Sequence, residues 1–146
     1  MTPEVVVERR INASQATVFS FFTDSARWLS WMGVEAELDA RPGGVFRMLV
    51  RGDDTAAGEF VLVEPHSRIV FTWGWEAEGS PVPPGSSTVD ITLEADGAAT
   101  NLRLRHRGLP VEMFAAHGKG WNHYLDRLVV RAGGGDPGAD EGYPES

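Results

Sequence analysis

The chain has no cysteine among its 146 residues. That removes disulfides, thiolate nucleophiles, zinc knuckles and iron–sulfur ligation together, and it suits a reducing compartment. No run of about 18 apolar residues is present, and the opening Met1-Thr2-Pro3-Glu4 lacks the basic and apolar regions of a secretory signal. The expectation is a cytoplasmic protein with no membrane insertion. Basic residues are scarce: 13 Lys and Arg oppose 21 Asp and Glu, a net charge of −8. A field of that sign repels polyanions, so nucleic acid is not an expected partner.

The acidity is unevenly spread. From Ala132 to Ser146 there are four acidic residues, no basic one, five Gly and two Pro, which leaves 13 basic against 17 acidic residues in the rest. Such a segment has too little apolar surface to offset its ordering entropy and is expected to be a disordered acidic tail, residues 132–146. Residues 1–131 are expected to form one domain, since no repeat or linker divides them and this length supports a substantial core.

What is abundant is aromatic surface, five Trp and seven Phe, and its placement follows from periodicity. Glu4 to Ile11 is β-branched and strand-like. Ser14 then offers an N-cap to a segment with Val18, Phe19 and Phe22 at helical spacing, and Asp24 caps a second short helix carrying Trp28, Trp31 and Met32. From Val34 to Arg107 the period changes to two. Turn signals at 42–44, 52–54, 65–67 and 96–97 punctuate six strands. Val34, Ala36 and Leu38 alternate with charged residues, as do Phe46, Met48 and Val50. Ile69, Phe71, Trp73 and Trp75 share one face, as do Val89, Ile91 and Leu93, and Leu102, Leu104 and His106. The strand at 58–64 does not alternate cleanly, and its facing stays unassigned. Glu76 to Ser87 is too rich in Gly, Pro and Ser for a strand and is read as a long loop, a candidate lid.

Pro110 suits the first turn of a helix running to about Arg131. Phe114, His117, Trp121, Tyr124, Leu125 and Leu128 form its apolar stripe, while Gly118 and Gly120 weaken its first half. The fold class is therefore α+β: a seven-stranded curved antiparallel sheet wrapped around a long C-terminal helix, with two short helices between strands 1 and 2.

Several segments together carry a resemblance: Arg41-Pro42-Gly43-Gly44 with Val45-Phe46-Arg47, Gly58 with the Glu64-Pro65 turn, Ile69 to Trp75, and His117 to Trp121 with Leu125 to Leu128. In this order the chain resembles the START-like (SRPBCC) helix-grip superfamily. Within it, the chain is similar to the family named after the C-terminal domain of the activator of the Hsp90 ATPase (AHSA1-type). The resemblance implies an apolar cavity between sheet and long helix. It does not carry over the Hsp90 role, because function belongs to sites rather than folds.

Inward aromatics then become candidate walls. Phe46, Met48, Phe71, Trp73, Trp75, Leu104, Met113, Trp121 and Tyr124 are the expected lining, with His106 and His117 as polar contacts. The leading expectation is a binder of a small hydrophobic or aromatic molecule, with no catalysis required. One rival is an enzyme of the polyketide cyclase or aromatase kind, which the superfamily resemblance allows and in which His106 would be the acid–base group. The other is a stress-response or chaperone-associated interaction module.

No metal and no cofactor are expected: His117 and His123 fall on opposite sides of the helix, and no carboxylate completes a ligand set. Ser residues occupy caps and loops rather than a nucleophile elbow. Arg103, Arg105 and Arg107 form a stripe expected to pair with Asp90, Thr92 and Glu94 on the neighbouring strand. Trp28 and Trp31 are candidates for a homodimer contact, with packing beneath their own helix as the alternative.

Overall fold

A computed structural model describes residues 4–140. In chain order the elements are β1 (Glu4–Ile11), α1 (Gln15–Thr23), α2 (Ser25–Trp28), β2 (Glu35–Leu38), β3 (Val45–Arg51), β4 (Asp54–Glu64), β5 (Arg68–Trp73), β6 (Ser87–Asp96), β7 (Ala99–Arg107) and α3 (Phe114–Ala132). A short 3-10 turn, Val111–Met113, precedes α3. All strands pair antiparallel in the order β1-β7-β6-β5-β4-β3-β2, giving one seven-stranded sheet. The curved sheet holds α3 against its apolar face, and the fold class is the one the sequence implies.

Local chemistry accounts for the boundaries. Ser14 Oγ accepts from the Thr17 amide at 3.2 Å and opens α1; Asp24 Oδ1 accepts from the Arg27 amide at 3.0 Å and opens α2. These are N-cap bonds, each satisfying an orphan donor of a first turn. The long helix starts late, at Phe114, after Pro110 sets the preceding turn.

Strand alternation holds in β3, where Phe46, Met48 and Val50 are buried, in β7 from Leu102 onward, and in the first part of β6 apart from the buried Asp90. Strand β4 begins earlier than the sequence suggests, at Asp54, and its register shifts between Phe60 and Leu62. A bulge there inserts a residue and breaks the period of two, which is why its facing cannot be read from alternation. Val34 departs from expectation: it lies just before the short edge strand β2 and is 56% exposed.

Trp28 and Trp31 are both fully buried, which removes them as homodimer contacts. Their rings, with 5.0 Å between centroids, pack against Phe22, and Trp28 also reaches Phe46 and Phe71. On the outer face Asp90 is 1% exposed and bonds both Arg68 (2.8 Å) and Arg107 (3.0 Å). Arg105 and Arg103 pair instead with Glu4 and Glu8 of β1, so the arginine stripe is shared between two neighbouring strands.

The segment after α3 has partners as far as residue 140. Arg127 donates to the carbonyls of Pro137, Gly138 and Ala139, and to that of Trp31. Asp140 accepts from the Gly33 amide at 2.7 Å and from Tyr124 Oη at 3.1 Å. Of the expected acidic tail, residues 141–146 lie outside the described residues. No helix among the described residues is long and apolar enough to cross a membrane.

Candidate functional site

The strand order brings three segments to one end of the sheet: the β3–β4 turn, the loop leaving β5, and the start of α3. Between them lies a cavity of about 440 Å³. Trp73, Trp121 and Tyr124 form its aromatic base, with Met32 and Val50 beside them. Met113, Ala116, His117 and Gly120 line it from the helix side, and Trp75 from the sheet side. Asp53, Asp54 and Thr55 of the β3–β4 hairpin and residues 76–81 of the long loop form the mouth.

That loop is anchored. The Trp75 amide donates to the Val82 carbonyl at 2.7 Å and the Glu76 amide to Thr55 at 2.9 Å, while the Val82 side chain is fully buried. Gly74 is required where the loop leaves the sheet, because a Cβ there would lie 1.8 Å from the Pro83 carbonyl oxygen. The Trp73 and Trp75 rings meet edge to face at 5.3 Å, and Trp73 lies 5.1 Å from Trp121. Trp73 Nε1 is a buried donor without a hydrogen-bond partner among the described residues.

The two inner histidines are both fully engaged. Ser87 Oγ donates to the Trp73 carbonyl (2.7 Å), so it accepts from His106 Nε2–H at 2.8 Å. Trp121 Nε1 can only donate, and His106 Nδ1 accepts from it at 3.1 Å. This fixes the Nε2–H tautomer. His117 carries the other one: its Nδ1 donates to the Met113 carbonyl at 2.9 Å, and its Nε2 accepts from Trp75 Nε1 at 3.0 Å. Burial pushes His106 down to about 3, with the nearby His117 acting in the same direction. Burial also lowers His117, against the opposing effect of its bond to the Met113 carbonyl. Both rings are neutral at pH 7, and each ties a tryptophan in place.

Six of the expected wall residues line the cavity: Trp73, Trp75, Met113, His117, Trp121 and Tyr124. Phe46, Met48, Phe71, Leu104 and His106 do not. They are fully buried in the core, where Phe46 and Phe71 stack at 4.2 Å. His106 sits behind Trp73 and Trp121 with both nitrogens committed, so its geometry gives no route for a proton to a molecule in the cavity. Residues not anticipated as lining include Met32, Val50, Ala116, Gly120 and the carboxylates Asp53 and Asp54, while Glu76 and Glu78 belong to the loop expected as a lid. Glu76 is bound bidentately by Arg47 (2.8 and 2.9 Å), whose hydrogen bond holds it below the usual carboxylate range against the effect of burial. Among the described residues no group of three or more His, Asp or Glu converges as a metal site.

The family model for Activator of Hsp90 ATPase homolog 1-like proteins matches residues 12–133. The chain belongs to this family. An AHSA1-like protein of Rhizobium etli is 43% identical, with a TM-score of 0.72 over 99% of this chain and 91% of that one. CalU16 from Micromonospora echinospora is 31% identical, with a TM-score of 0.75 over 92% of this chain and 76% of that one. DynU16, of the dynemicin biosynthetic locus, is 26% identical with a TM-score of 0.79 over 92% of this chain, which spans 48% of its length. No curated protein matches the chain significantly in sequence. Within this AHSA1-like domain, the space between sheet and helix is divided. An aromatic core fills the part under α1 and α2, and the cavity occupies the part under the long loop.

Proposed function

We propose that this AHSA1-like domain binds a small hydrophobic or aromatic molecule in the cavity between sheet and α3, with no catalysis required. The observation that carries this reading is an opening of about 440 Å³ walled by Trp73, Trp75, Trp121 and Tyr124 between the sheet and α3. That volume is within the range of small-molecule sites, and concave aromatic walls are their usual lining. The similarity to DynU16, a protein of a biosynthetic locus, is consistent with a small-molecule role. With both histidines engaged in holding tryptophans, shape and dispersion are left as the dominant source of affinity.

Native mass spectrometry of the purified protein and tryptophan fluorescence titration with aromatic and aliphatic compounds test the reading. A retained small molecule, or saturable quenching by part of the panel, is the expected result. No retained mass together with flat fluorescence throughout would refute it and favour a role through the protein surface.

A further inference from the structure

The cavity's walls and mouth differ in character, and the difference bears on ligand charge. Asp53 and Asp54 sit on the β3–β4 hairpin, and Glu76 and Glu78 on the loop after β5. These two segments are far apart in sequence and meet at the same opening. None of the 13 Lys and Arg of the chain lines the cavity. Two cations come near the mouth, Arg47 and Arg51, and Arg47 is consumed by its bidentate bond to Glu76. Arg51 pairs in register with Asp54 across the turn, yet it forms no ion pair within 4.0 Å among the described residues.

Nothing inside compensates for a buried anion. His117 lines the cavity as a neutral ring whose one N–H is given to the Met113 carbonyl. The partial positive charge at the start of α3 is about half an elementary charge and has Glu112 beside it. The aromatic walls present ring faces, whose quadrupole attracts cations and repels anions.

We infer that the ligand is a cationic amphiphile: an apolar or aromatic body lies against Trp73, Trp75, Trp121 and Tyr124, and a protonated amine sits at the carboxylate mouth. The inference rests on the proposed binding function and specifies the ligand's class. It excludes free fatty acids and other carboxylate-headed lipids as good ligands. Three carboxylates not held by an arginine, acting through partly solvated space, favour a cation over an isosteric anion by at least about tenfold at low salt.

The test uses the full chain and three probes sharing one body: 2-(1-naphthyl)ethylamine, 2-(1-naphthyl)ethanol and 1-naphthylacetate, titrated by tryptophan fluorescence at pH 7 in 20 mM and 300 mM salt. The expected order of affinity is amine, alcohol, carboxylate, with the amine's advantage shrinking at high salt. In Asp53→Asn/Asp54→Asn the amine should weaken by about threefold or more while the alcohol is unchanged. Thermal melting of the variant confirms that it is folded, and Glu78→Gln provides an independent second variant. If alcohol and carboxylate bind as well as the amine, the charge inference is overturned and the cavity reading stands. If none of the three binds at either salt concentration, the charge inference is overturned, and the binding reading falls with it when native mass spectrometry also finds no retained molecule.

Discussion

His106 offers a quantitative test of the interior, because its neutral state is bound to folding. In the unfolded chain it titrates near its ordinary 6.5; in the folded protein burial pushes it to about 3. The folded state therefore refuses a proton that the unfolded state accepts. The stabilisation is fully present above pH 6.5 and is lost progressively as the pH falls toward 3. Each pH step below 6.5 costs about 1.4 kcal/mol, so about 3 kcal/mol is gone at pH 4. That is a large share of the roughly 5–15 kcal/mol typical of a domain. His117, also lowered by burial, adds to the same limb. Asp90 acts later: Arg68 and Arg107 outweigh its burial and hold it below 3.8, so its contribution is lost only as the pH drops beneath that value.

Urea denaturation followed by tryptophan fluorescence from pH 7 to pH 4.5 measures the slope. His106→Gln isolates it, since an amide can donate to Ser87 and accept from Trp121 but takes up no proton in either state. The variant is expected to be less stable at pH 7 and to lose stability less steeply below pH 6.5. Long-range imidazole NMR correlations report directly on the ring and should show Nε2–H for His106 and Nδ1–H for His117. A His106 that titrates above pH 5 in the folded protein, or an unchanged slope in His106→Gln, would refute the reasoning.

Three further perturbations address the cavity and its supports. Arg127→Ala removes donors to four backbone carbonyls; it should cost about 2 kcal/mol, lower Tm by about 6 °C and speed amide exchange at Gly33. Unchanged exchange there would show that residues 137–140 hold without it. Gly74→Ala forces a Cβ against the Pro83 carbonyl and should displace the mouth loop at a cost of about 2–3 kcal/mol; a Tm within about 2 °C of the parent would contradict the close approach. Ala116→Trp places an indole at the exposed rim of the cavity on α3 and should weaken binding of an aromatic probe at least tenfold with Tm nearly unchanged. Undiminished binding would place the ligand elsewhere.

Much of this arrangement is legible in the residues, and where it is not the reasons are physical. Ser14 and Asp24 are visible as caps because capping depends on side-chain chemistry over three residues. Strands β3, β6 and β7 are visible because one face is wet. Strand β4 is obscured by its bulge, where the pairing of Phe60 with Phe71 is followed by that of Leu62 with Val70. Alternation sends Phe46, Phe71, Trp73 and Trp75 inward, but it cannot tell a ring that touches another ring from one that faces open space. That distinction depends on what the helices bring to the opposite side. Phe46 meets Trp28 and Phe71, whereas Trp75 lies past the end of β5 at a single bridge to Ala56 and reaches His117. The acidic mouth was within reach of a topological count: in consecutive hairpins the β3–β4 turn and the β5–β6 loop fall at the same end of the sheet, so Asp53-Asp54 and Glu76/Glu78 must approach one another.

The cavity and its charge arise from different parts of the chain. On α3, Ala116 and Gly120 stand one turn apart on the cavity side, next to Trp121, and supply little side-chain volume where the long loop passes over them. The sheet's aromatics cannot collapse into that space, because the Trp75–His117 and Trp121–His106 hydrogen bonds hold α3 at fixed separations from the segment after β5 and from β7. Size is therefore set by the helix and its histidine ties. The carboxylates belong to two loops that can change without altering the core. Exchanging Asp53, Asp54 and Glu78 for neutral residues should alter which head group is accepted while leaving the acceptable body unchanged. Enlarging Ala116 or Gly120 should do the reverse.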